Sequence, residues 1–120
     1  MTKVAKGLRD QITLIVNAEM MLDYGEYEEL PIEMTFIKIN KQSEAKKIFA
    51  EFRTGDLGVL DTIRKYLVKW DLTWKDGSPI QLDNDEDMEL IWEYEPYAQA
   101  MVDGFGMVQL GYKKMQSKNS

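Results

Sequence analysis

The densest set of potential ligand atoms in the chain is Asp83-Asn84-Asp85-Glu86-Asp87, four carboxylates and an amide in succession. Alternate oxygens of this kind hold calcium when a glycine at the sixth position turns the loop. A bidentate Glu must then close the site at the twelfth. Counted from Asp83, those positions hold Met88 and Tyr94, so the spacing fails twice. The same residues suit a helix start, where Asp or Asn caps free N–H groups and first-turn acids complement the dipole. The pairs Glu28/Glu29 and Glu93/Glu95 have the chemistry for proton transfer. Nothing in their spacing joins them to a polar pocket, and carboxylates are seldom buried. Gly104-Phe105-Gly106 carries the G-x-G of a phosphate loop. Such loops sit at a strand-to-helix turn, whereas this one lies within a helix-period segment.

The absent residue types say more. The 120-residue chain has no histidine and no cysteine. Without histidine it lacks the usual neutral-pH acid/base group and metal ligand. Without cysteine it has no disulfide framework, thiolate nucleophile or zinc-finger site. A Ser-His-Asp triad cannot be built, and the reading is of a non-enzymatic protein with no cofactor. With 21 acidic against 15 basic side chains the net charge is −6, which disfavours nucleic-acid binding, since that rests on neutralising phosphates. The longest apolar stretch, Ile12 to Val16 broken by Thr13, is far short of a membrane span. The first residues hold no apolar segment like that of a signal peptide. These features lead to the expectation of a cytoplasmic protein. Apolar residues make up 44% of the chain, enough for a packed core in one domain. The expected organisation is a flexible N-terminus over 1–8, a single domain over 9–113 and a flexible polar tail over 114–120.

Strand period comes first. Gln11 to Ala18 places Ile12, Leu14, Val16 and Ala18 on one face and Thr13, Ile15 and Asn17 on the other. Met34 to Asn40 is again strand-like. The acidic stretch from Asp23 to Pro31 contains Gly25 and reads as a long loop between the two. From Ser43 the period becomes helical, with Ala45, Ile48, Phe49 and Phe52 on one stripe. Asn40 or Ser43 is expected to cap this helix, and Thr54-Gly55 to end it. Asp56 is expected to cap a second helix bearing Leu60, Ile63, Leu67 and Trp70, with Gly58 weakening its first turn. Asp76-Gly77 marks a turn. The acidic run opens a third helix with Met88, Ile91 and Trp92. Pro96 sits in the first turn of a fourth, whose face carries Ala98, Met101, Val102, Phe105, Val108 and Tyr112. The expected fold is α+β: a small antiparallel β element in the N-terminal half packed against about four helices.

Trp70, Trp74, Trp92, Tyr94 and Tyr97 crowd into 28 positions, followed by Met101, Phe105 and Met107. Large aromatics dominate cores, but Trp, Tyr and Met are also enriched where proteins bind one another. Trp74, Tyr94, Tyr97, Met101, Phe105 and Met107 are therefore the expected partner-binding residues. Tyr94, Tyr97 and Met107 lie off the main stripe of the last helix.

The run Tyr66-Leu67-Val68-Lys69-Trp70-Asp71-Leu72, followed by Lys75-Asp76-Gly77-Ser78-Pro79-Ile80-Gln81-Leu82, resembles the tail assembly chaperones of long-tailed bacteriophages and prophages. In those proteins a helix ends in a V-x-W-D-L segment, a D-G-x-P turn follows, and an acidic helix start comes next. Order and spacing carry the match, which spans roughly residues 30 to 112. The resemblance implies a small α+β cytoplasmic protein without enzymatic activity. It implies binding to the tape-measure and tail-tube proteins during morphogenesis, with a homo-oligomer as a further possibility, and absence from the mature virion. A programmed frameshift often appends a C-terminal domain in that family, and the polar ending Gln116 to Ser120 would suit the unshifted product. The alternatives are a structural head–tail connector or tail completion protein, and an acidic inhibitor or antitoxin-like protein that mimics a polyanion.

Overall fold

The computed structural model describes residues 10–55 and 58–111. Two long strands, β1 (Gln11–Met21) and β2 (Tyr27–Ile37), form an antiparallel hairpin closed by a three-residue 3₁₀ turn at Asp23–Gly25. Helices α1 (Gln42–Thr54) and α2 (Val59–Tyr66) follow, then a short strand β3 (Leu67–Trp70) and helices α3 (Asp85–Trp92) and α4 (Glu95–Leu110). The sheet order is β1-β2-β3, antiparallel throughout. The α+β architecture with four helices is as the sequence implies.

Strand alternation decides which sheet face is covered. Leu14 pairs with Met34, and Val16 with Ile32, so one face presents a continuous apolar surface. Val16, Ala18, Ile32, Met34 and Phe36 on that face are buried. Helix α4 lies across it, and close approach depends on Gly104. A Cβ there would fall 3.1 Å from Val16 and Phe36 side-chain atoms and 3.2 Å from Met34 Sδ. Phe105, the next residue, is fully buried and centres a ring cluster with Phe36, Phe49, Phe52 and Tyr66 at centroid distances of 5.3 to 6.1 Å. One aromatic thus joins the sheet, α1, α2 and α4.

Gln109 fixes the far end of α4. Its side chain is fully buried. Its Oε1 accepts from the Ile39 N–H at 2.7 Å, and its Nε2 donates to the Ile37 carbonyl at 2.6 Å. These bonds satisfy backbone groups where β2 leaves the sheet, as burial requires.

Four local expectations are corrected. The stretch from Asp23 to Pro31 is not a long loop, because Tyr27–Pro31 belongs to β2. Pro31 is tolerated because β3 pairs with β2 only at Met34–Phe36, leaving β2 a local edge at Pro31. The second helix stops at Tyr66, and Leu67–Trp70 adds a third strand. There Leu67 is buried beside Phe36, since sheet pairing outweighs the helical stripe. Helix α1 is capped at Lys41, whose carbonyl accepts from Glu44 and Ala45 N–H, with no side-chain cap from Asn40 or Ser43. Gly58 is the N-cap of α2 rather than part of its first turn. Asp56 and Tyr112 lie outside the described residues, as do the expected terminal tails. Gly55, at φ 80°, ends α1, and Pro96 stands in the first turn of α4 as expected.

Candidate functional site

The acidic run Asp83–Asp87 forms the start of α3. Asn84 Oδ1 accepts from the Asp87 N–H at 3.0 Å. Asp85 pairs with Arg64 at 2.9 Å, and Arg64 also donates to the Leu82 carbonyl. Among the described residues no group of three or more carboxylates is placed to hold a metal ion. The Asp76 carboxyl is held below the usual carboxylate value. The main cause is the Ser78 hydroxyl, which donates to it at 2.6 Å, followed by the Ser78 N–H at 2.9 Å. Asp76 is fully exposed in the Asp-Gly turn, so this is local turn chemistry.

Two surfaces stand out. The first is the distal half of the β1–β2 hairpin. The ladder runs unbroken from Gln11↔Ile37 to Met21↔Tyr27. Burial on its covered face stops at Ala18 and Ile32, and no residue from Glu19 to Pro31 is buried. This half therefore projects as an arm, and the molecule measures 54 Å along one axis against 33 Å along the others. Met21, Leu22, Tyr27 and Leu30 are exposed on it. At the tip Tyr24 is 101% exposed with φ 64°, the one non-glycine positive φ among the described residues. That left-handed conformation is strained for a bulky residue.

The arm is also acidic. Residues 11–37 contain six acidic and no basic side chains, while the rest of the chain is balanced at 15 of each sign. A second acidic stretch, residues 76–112, holds nine acidic and no basic side chains, so the hairpin shares the chain's acidity with α3 and α4.

The second surface is a groove of about 600 Å³ between α1, the start of α2, and α4. Phe49, Phe52, Val59, Val102 and Leu110 line it, with Lys46 and Arg53 along its α1 side. Opposite them Gln99 donates to Asp103 at 2.8 Å. The groove follows from two stripes that do not quite meet. Helix α1 buries Ala45 fully but Phe49 and Phe52 only partly, their rings resting on Phe105. Helix α4 spends its main stripe on the sheet and leaves Val102 and Leu110 half-buried.

The six residues expected to bind a partner are not gathered into one patch. Met101 and Phe105 have no accessible surface and belong to the core, which corrects their placement on a surface. Trp74, Tyr97 and Met107 are half-buried against that core. Tyr94 is exposed at the N-cap of α4, its ring edge-on to Tyr97 at 6.4 Å. The arm residues Met21, Leu22, Tyr24, Tyr27 and Leu30 were missed. Their signal was the period-2 alternation of Leu30, Ile32 and Met34 against Glu29, Pro31 and Glu33, hidden by acids and a proline.

No helix among the described residues is long and apolar enough to cross a membrane. Comparison with protein-family models, curated proteins and solved structures gives no match to this chain.

Proposed function

We propose that this chain is a non-enzymatic tail assembly chaperone of a long-tailed phage or prophage. In this reading it holds apolar helices of the tape-measure protein, and the tail-tube protein, before the tail is built, and works in the host cytoplasm. The observation that carries the reading is the apolar groove lined by Phe49, Phe52, Val59, Val102 and Leu110. Its shape suits a partner helix presenting large apolar residues at i, i+3 and i+4. Such helices aggregate when left uncovered. Lys46 and Arg53 would meet acidic residues flanking the partner's apolar stripe. The acidic hairpin would keep the complex dispersed by like-charge repulsion. Several copies along one tape-measure helix would add their weak contacts into firm retention.

Co-expression with the tape-measure protein of the same phage tests this. The expected result is a soluble complex that co-purifies, with the chain missing from mature virions by mass spectrometry. A tape-measure protein left insoluble and unbound overturns it. A stoichiometric chain in the virion supports the connector reading instead. The six acids of the hairpin, with no basic residue among them, favour a second reading, an acidic inhibitor that mimics a polyanion. Replacing the arm acids by amides would abolish that activity but leave tape-measure capture intact.

A further inference from the structure

The groove and the arm are complementary to one another. The arm ends in an exposed tyrosine knob flanked by Leu22 and Met21, on a segment with six acids and no cation. The groove is an apolar slot with Lys46 and Arg53 along its α1 wall, while Asp103 on the α4 wall is taken up by Gln99 at 2.8 Å. The sequence around that wall is basic: residues 38–55 hold Lys38, Lys41, Lys46, Lys47 and Arg53 against only Glu44 and Glu51.

The arm cannot reach its own groove. Gln109 ties the C-terminal end of α4 to Ile37 and Ile39, at the end of the ladder opposite the tip. An unbroken eleven-residue ladder spans about 35 Å and does not fold back on itself. The two surfaces can therefore meet only between copies.

We propose that the hairpin arm of one copy docks in the α1/α4 groove of a second copy, with Tyr24 as its anchor. The ring of Tyr24 seats against Phe49, Phe52 and Val102, and the arm carboxylates Asp23, Glu26 and Glu28 face Lys46 and Arg53. The strained backbone at Tyr24 gains a role, since it aims a bulky ring outward where a glycine would serve the turn better. The contact joins two different surfaces, so it is heterologous and builds open chains or closed rings. Its charge component makes it salt-sensitive. This says what fills the groove when no other protein does, and it does not depend on which partner the groove later accepts.

The test is sedimentation velocity at low and high salt, up to roughly 0.5 mM, where a micromolar contact is well populated. Two variants are needed: Tyr24→Asp, which disables the arm, and Lys46→Glu with Arg53→Glu, which disables the groove. All altered side chains are exposed or on the groove rim, and circular dichroism checks that each variant is folded. The wild type is expected to give a mass that rises with concentration and falls with salt. Each variant alone is expected to associate at least about tenfold more weakly, as loss of an anchor residue implies. Mixed together, the two variants are expected to form a capped one-to-one dimer, because the intact groove of one accepts the intact arm of the other. A wild type that stays monomeric throughout overturns the proposal. So does a Tyr24→Asp protein that associates like the wild type, or a mixture of folded variants that remains monomeric.

Discussion

Gly104 of α4 faces Phe36 of β2 so closely that a methyl group on Gly104 would sit 3.1 Å from the ring. Val16 and Met34 stand as near on either side, and all three neighbours are buried. Helix propensity alone would make Gly104→Ala stabilising by about 1 kcal/mol. Overpacking costs roughly 1–3 kcal/mol and here outweighs that gain. Gly104→Ala is therefore expected to lower stability by about 1 kcal/mol, and Gly104→Val by more. Urea unfolding of the two variants checks the order.

Gln109 serves two buried backbone groups at once, the Ile39 N–H and the Ile37 carbonyl. Gln109→Ala leaves both without a partner. Unsatisfied buried groups of this kind cost about 1–3 kcal/mol each. A loss of roughly 2–4 kcal/mol is expected for the variant, since water would recover part of the cost. Faster hydrogen exchange at the Ile39 amide is the site-specific readout. Gln109→Leu keeps volume but restores neither bond, so it should not rescue stability.

Tyr24 is expected to behave in the opposite way. It buries nothing in the monomer and holds a positive φ. Tyr24→Gly removes the strain at the cost of extra freedom in the unfolded chain, so a gain of about 0.5 kcal/mol is expected. A higher melting temperature for this variant is the check. Unchanged or lower stability would mean that the tyrosine conformation costs nothing.

How much of this was legible in the sequence depends on which physical signal governed each part. Period 2 over Gln11–Ala18 and period 3.6 over Ala45–Phe52 come from burial on one face, so both elements were readable. Pro96 and Gly55 fixed helix ends through backbone geometry, and these too stood where expected. The arm was hidden because its far half buries nothing, and acids and Pro31 mask the alternation of Leu30, Ile32 and Met34. Strand β3 was hidden because Leu67 and Trp70 also fit a helical stripe, and only the distant Met34–Phe36 segment decides between them. The groove was unreadable for the same reason. It exists where the stripes of α1 and α4 fail to close, which is a property of their packing. Met101 and Phe105 belong to residue types that also line binding surfaces, and only the packing buries them, Phe105 between the rings of Phe49 on α1 and Phe36 on the sheet.

The Asp76 turn gives a pH-dependent prediction. Its carboxyl is held low by the Ser78 hydroxyl first and the Ser78 N–H second. A carboxylate with a depressed folded-state pKa adds stability above its unfolded pKa, lost as pH falls through the folded value. Ser78→Ala is therefore expected to raise the Asp76 pKa toward the ordinary value, as read by carboxyl NMR titration. The stability difference between variant and wild type should be present near neutrality and shrink in acid. A pKa unmoved by the substitution would place the cause elsewhere.

The proposed seat for an apolar helix of the tape-measure protein is the α1/α4 groove. The most direct measurement is titration of a tape-measure helical segment into the isotopically labelled chain, followed by NMR. Shifts at Lys46, Phe49, Phe52, Val59, Val102 and Leu110 are the expected result. Val102→Asp should weaken binding by about tenfold or more, since it puts a charge on the groove floor. A segment that leaves those resonances unmoved, or binds Val102→Asp as tightly as the wild type, shows that the groove is not the binding site.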